Sequence, residues 1–186
     1  MKRLMVAIIS LVSNYCYHTM NADYKNFNEN DSLVMLLDRS TRYVGINLQR
    51  IFKYRGFDIT VEQWMILLLL WKQNSRTQQE IANRIGKDKG TISPQIDGLE
   101  KRRLIVRVQD DQDKRCNWIR LTRKGKALED KLVPLGFANM EIAQHGITEE
   151  DLKTCRAVLQ RVCRNFEEGN AASEKLLTRH TKGAAT

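Results

Sequence analysis

Residues 77–99, TQQEIANRIGKDKGTISPQIDGL, hold two helix starts eleven positions apart, with a glycine between them. Thr77 followed by Glu80 is a capping box: the hydroxyl accepts from the amide three residues on, and the carboxylate reaches back to the cap's own amide. Ile81, Ala82 and Ile85 then recur at helical spacing, and Gly86 supplies the stop. Asp88 is a second N-cap, and Ile92, Ile96 and Leu99 make the apolar face of the helix it starts. Two short helices joined by a tight turn containing glycine predict a helix-turn-helix.

The second of these helices contains an internal contradiction. Pro94 removes a backbone hydrogen bond and costs about 3 kcal/mol in a helix interior; Gly90 and Gly98 each cost roughly 1 kcal/mol relative to alanine. Opposite the apolar face, a helical wheel collects Gly90, Pro94, Asp97 and Lys101, with Thr91 and Ser93 at its borders. Gly90 and Pro94 keep this face small enough to approach base edges, and a proline ring can pack on a thymine methyl. Lys87 and Lys89 suit phosphate or guanine contacts, and Thr77 and Gln95 complete the candidate DNA-facing set on the two helices. The competing structural reading is a merely kinked surface helix.

The flanks sharpen the choice. LIVRVQ, Leu104 to Gln109, reads as a strand, DDQDKRCN as a polar turn, and WIRLT, Trp118 to Thr122, as the partner strand. A hairpin directly after a helix-turn-helix makes a wing. Upstream, residues 33–55 keep helical spacing, and Thr60 with Gln63 opens a helix that is apolar nearly all round, the expected buried centre. Trp64 and Trp71 read there as core. Downstream, Thr122 caps a helix that Pro134 and Gly136 bend or interrupt, and Thr148 caps a last one from Leu152 to about Phe166. The predicted class is mainly α with a small β wing: a winged helix-turn-helix flanked by N- and C-terminal helices.

Charge points to a polyanionic partner. The chain of 186 residues carries 31 Lys+Arg against 22 Asp+Glu, a net +9. Between Lys87 and Lys126 there are 12 basic and 6 acidic residues, so +6 of that excess surrounds the odd helix and its wing. In the hairpin, Arg115 is the candidate for minor-groove insertion, because narrow A·T grooves attract guanidinium groups. Asp113 would brace it, and Lys114 and Arg107 would neutralise phosphates. Double-stranded DNA is the expected partner; a winged-helix module for protein–protein contact is the alternative.

The scattered His18, His145 and His180, with no nucleophile motif and no phosphate-binding loop, argue against an enzyme. The four cysteines form no C-x-x-C pair, so neither a metal nor a cofactor is expected. Cys155 and Cys163, eight apart on a helical pattern, read as small packing residues. The apolar run from Leu4 to Val12 is too short to span a bilayer. Residues 1–32 read as an N-terminal extension. Its residues 1–19 read as an upstream addition or mis-assigned start, with export as the alternative, and the expected location is cytoplasmic. Residues 168–186 read as a flexible tail.

The segments TVEQWMILLLLW, TQQEIANRIGKDKGTIS and IDGLEKRRLIVRVQDDQDKRCNWIRLTRKGKAL resemble the MarR family of regulators. The D-x-x-D-K-R turn from Asp110 to Arg115, followed by LTRKG, is the most specific piece, and the resemblance spans about residues 33–167. It implies a homodimer, with residues 61–123 as the winged helix and residues 33–58 and 124–167 as the dimerisation helices. It implies transcriptional control, most often repression, through an inverted repeat. It also implies a cleft for a small aromatic or phenolic anion, for which Tyr43, Arg50 and Trp64 are the candidate residues. Three departures stand out. Pro94 stands where relatives often carry a basic groove-facing residue, so a relative's base preference does not carry over. Arg103 occupies the slot after the reading helix that often holds glycine, so a strained or different turn is expected there. The first helix lacks the cysteine of the family's peroxide sensors.

Overall fold

The computed structural model describes Asn28, Asn30 and residues 32–110 and 117–167. The chain divides into two compact units with a boundary after Asn139. In the first unit, helix α1 (Leu33–Tyr54) starts at Ser32, whose hydroxyl accepts from the Met35 amide. Helix α2 (Val61–Lys72) starts at Thr60 with the expected capping box to Gln63. Strand β1 (Arg76–Thr77) leads into α3 (Gln78–Ile85) and α4 (Lys89–Lys101). Strands β2 (Ile105–Gln109) and β3 (Asn117–Leu121) follow, then the one-turn helix α5 (Arg123–Lys126) and the start of α6 (Glu129–Gln144).

Helix α2 is the centre that its composition predicts. Ile66, Leu67 and Leu70 are fully buried in one cluster with Phe52 of α1, Ile81 of α3, and Ile92, Ile96 and Leu99 of α4. Trp64 stacks edge to face between Phe52 and Trp71, with ring centroids 5.6 Å apart in both pairs. Gly98 belongs to this packing. A Cβ there would lie 2.7 Å from Nε2 of the buried Gln63, so the residue lets α4 close onto α2.

The sheet has three strands in the order β1-β3-β2, not the two of a simple hairpin. Arg76 pairs with Ile119 and Thr77 with Trp118, adding β1 to the far side of β3. A two-residue strand is too short to leave an alternating pattern, so sequence periodicity missed it.

Two other expectations are corrected. The break after Thr122 falls at Ala127 and Leu128, whereas α6 runs unbroken through Pro134 and Gly136. Pro134 deprives only the Asp130 carbonyl of its helical donor, at an exposed position that water can reach. Cys155 and Cys163 are exposed rather than packed. Within the first unit, buried Asn139 ties α6 to α1, donating to the Val44 carbonyl at 3.2 Å and accepting from Asn47 at 2.8 Å.

The second unit contains the end of α6, a turn at Gly146 with φ 76°, and helix α7 (Glu149–Glu167). Thr148 caps α7 by accepting from the Asp151 amide at 3.1 Å.

Candidate nucleic-acid interface

The turn between α3 and α4 is built from backbone. Gly86 takes φ 69° and its amide donates to Asn83, while the Lys87 amide reaches the Ala82 carbonyl at 3.0 Å. Gln78 adds a side-chain bridge that the sequence did not reveal, donating from Nε2 to the Lys89 carbonyl at 3.2 Å. Asp88 then caps α4. Its Oδ1 accepts from the Thr91 amide at 2.8 Å and its Oδ2 from the Thr91 hydroxyl at 2.7 Å.

The Thr91 hydroxyl bond, then the Thr91 amide bond, hold the Asp88 carboxyl below its ordinary range. Because the folded value is depressed, the cap's contribution is complete above the unfolded pKa, near 4, and is lost as pH falls through the lowered one. The Thr91 amide resonance should therefore titrate in acid in the native chain and stay flat in Asp88→Asn, by nuclear magnetic resonance. A flat profile in both would remove Asp88 as the cap.

Helix α4 presents the two faces that the wheel predicts. Ile92, Ile96 and Leu99 are buried, Gly90, Pro94 and Lys101 are exposed, and Thr91, Ser93 and Asp97 lie between. Pro94 leaves the Gly90 carbonyl without its helical donor. Since Gly90 is exposed, solvent can supply one, and α4 continues without a break. Lys87 and Lys89 are exposed at the start of the helix, and neither forms an ion pair among the described residues.

Several candidate side chains are partly engaged. The Thr77 hydroxyl accepts from the Glu80 amide and donates to the Glu80 carboxylate, both at 3.2 Å. Gln95 accepts from the Thr60 hydroxyl at 3.3 Å, which ties the reading helix to the start of α2. Arg103 adopts φ 57°, the left-handed conformation that its position predicts, at a cost of roughly 1–2 kcal/mol. The corner around it is held by Lys124, which donates to the Arg102 carbonyl at 3.1 Å, and by an Arg102–Asp58 ion pair at 3.2 Å.

Arg107 does not stand free for a phosphate, as the sequence suggested. Its guanidinium is paired with Asp97 and Glu100 of α4, with 24% of the side chain exposed. Burial pulls its pKa down, but the Asp97 hydrogen bond, then the Glu100 charge and hydrogen bond, outweigh burial, and the net shift is upward. The effector-site candidates also separate: Trp64 is a core residue 7% exposed, whereas Tyr43 is 64% exposed and Arg50 is exposed on α1. The wing-tip candidates Asp113, Lys114 and Arg115 lie outside the described residues. Below the tip, Trp118 donates to Asp110 at 2.6 Å and braces the two strands.

A helix-turn-helix whose second helix keeps one face free, followed by a two-stranded wing closed by a third short strand, defines a winged-helix protein. Residues 59–117 match the model of the MarR family. The chain is 30% identical over 115 residues to the HTH-type transcriptional regulator YybA of Bacillus subtilis (strain 168), covering 62% of this chain and 77% of that one. It is 28% identical over 113 residues to the organic hydroperoxide resistance transcriptional regulator of the same organism, covering 61% and 76%. The structure of CouR from Rhodococcus jostii RHA1 bound to p-coumaroyl-CoA is similar at a TM-score of 0.64 and 25% identity, covering 73% and 94%. The chain belongs to the MarR family of transcriptional regulators, which carry a DNA-binding winged helix. Among the described residues, no helix is long and apolar enough to cross a membrane.

Proposed function

We propose that this protein is a homodimeric, sequence-specific regulator that binds an inverted repeat in double-stranded DNA, represses transcription, and is released by a small aromatic or phenolic anion. The observation that carries the DNA-binding part is the free face of α4. It is small at Gly90 and Pro94 and flanked by Lys87 and Lys89, which are exposed and form no ion pair among the described residues, while Ile92, Ile96 and Leu99 lock the other face into the core. A helix so held presents its N-terminal residues to the major groove with little entropy left to lose.

The dimer reading rests on the family and on exposed apolar side chains: Leu33, Val34, Met35 and Ile46 on α1, and separately Val158 and Phe166 on α7. On this reading residues 61–123 read DNA and residues 33–58 and 124–167 hold the second copy. The ligand of CouR, p-coumaroyl-CoA, supports an aromatic acid derivative as the effector class.

Binding of the full chain to a library of duplexes, followed by sedimentation, tests the proposal. The selected sites should be inverted repeats with half-sites about 10 base pairs apart. The free protein should sediment as a dimer at micromolar concentration. Phenolic carboxylates should weaken the selected complex. Single asymmetric sites bound by monomers would overturn the dimeric reading, and no selection at all would overturn sequence-specific binding.

A further inference from the structure

We infer that Arg107 is a positioning residue: with Asp97 and Glu100 it clamps the wing to the reading helix, and its charge is not offered to DNA. The inference rests on the DNA-binding reading only for its functional consequence. The geometry lies within one unit and joins two elements. Asp97 and Glu100 are three apart and so share one side of α4. Arg107 is the third residue of β2, an edge strand in the order β1-β3-β2, paired with Ile119 of β3. One Nη of Arg107 meets Asp97 and the other meets Glu100. The second oxygen of Glu100 accepts from the Arg107 backbone amide at 3.1 Å. Glu100 thereby holds both the side chain and the main chain of one strand residue.

The arrangement has two physical consequences. An edge strand presents unpaired amides that can recruit another strand, and Glu100 occupies one of them. More important, a winged helix that reads two grooves needs its wing at one angle to the reading helix. A planar guanidinium spanning two carboxylates fixes that angle, because its donors sit in a rigid fork. Two carboxylates against one guanidinium leave the cluster with no positive charge to release counterions from phosphate.

Lysine separates the clamp from a phosphate contact. An ammonium still binds phosphate as a point charge, but it cannot span the two carboxylates of the clamp in the same fork. Arg107→Lys and Glu100→Gln keep size and packing, so both should fold with unchanged circular dichroism. In the free full-length chain, amide hydrogen exchange at Val106–Val108 should quicken about fivefold in either variant, and no further in the double variant, since both break one unit. On duplex DNA, Arg107→Lys should bind about fivefold more weakly than the native chain, with the same dependence on salt. Native affinity and native exchange in Arg107→Lys would overturn the clamp. If the native chain binds no duplex, the proposed function fails by itself, and unchanged or quickened exchange at Val106–Val108 still decides the clamp.

Discussion

Gly125→Ala should lower the midpoint of thermal unfolding by about 10 °C, the equivalent of roughly 3 kcal/mol for a chain of this size. Gly125 is buried in α5, and a Cβ there would lie 2.0 Å from the Leu104 carbonyl oxygen and 3.2 Å from a Leu121 methyl. The obstacle is backbone, which cannot rotate aside as a side chain can. That same Leu104 oxygen accepts from the Thr122 amide at 3.0 Å and the Thr122 hydroxyl at 3.1 Å, which closes the end of the wing onto α5. The Gly125 carbonyl in turn accepts from Trp71 Nε1 at 3.0 Å. A methyl group would therefore disturb the wing root and the tryptophan stack together. Calorimetry of the two proteins checks this. A midpoint within a degree or two of the native one would show that the junction yields easily.

Removing both lysines at the start of the reading helix should weaken DNA binding about a hundredfold at physiological salt, if a dimer engages two sites. Lys87→Ala with Lys89→Ala deletes two exposed ammonium groups that form no ion pair among the described residues, so the logarithmic salt dependence should shrink by about two units for each copy of the chain bound. Folding should be unaffected, because neither side chain packs in the core and the Lys87 and Lys89 backbone bonds remain. Titrations at several salt concentrations provide the measurement. A loss of affinity with an unchanged salt slope would mean that the lysines orient the helix without touching phosphate. Arg107→Lys should behave differently: the two lysines should move the salt slope, and Arg107 should not.

Much of the helical framework was readable because capping acts over three residues. Thr60 with Gln63, Thr77 with Glu80, Asp88 with Thr91, Thr122 with Gly125 and Thr148 with Asp151 all bond as their spacing predicts. Gly86 ends α3 in the left-handed conformation, and even the strained turn at Arg103 is where its missing glycine suggests. The basic start of α4 was equally legible, because exposure of Lys87 and Lys89 follows from the helical period once Ile92 and Ile96 define the buried side.

What the tertiary structure decided involves partners far apart in sequence or surfaces with competing uses. Arg107 carries the same charge whether it meets phosphate or protein, and only the fold of β2 beside α4 brings Asp97 and Glu100 to it. Trp64 could have faced a ligand, but Phe52 and Trp71 enclose it. Gly98 reads in the sequence only as a cost to the helix, and the approach of Gln63 makes it a packing residue. Pro94 and Pro134 sit inside helices that the local rules would have broken. The sequence alone determined where the helices capped at Thr60, Thr77, Asp88, Thr122 and Thr148 start, because a cap and its amide are neighbours in the chain; the start of α6 at Glu129 was not legible in this way. Which faces are covered and which charges remain free depended on tertiary packing, because burial and ion pairing set energies that local propensity does not contain.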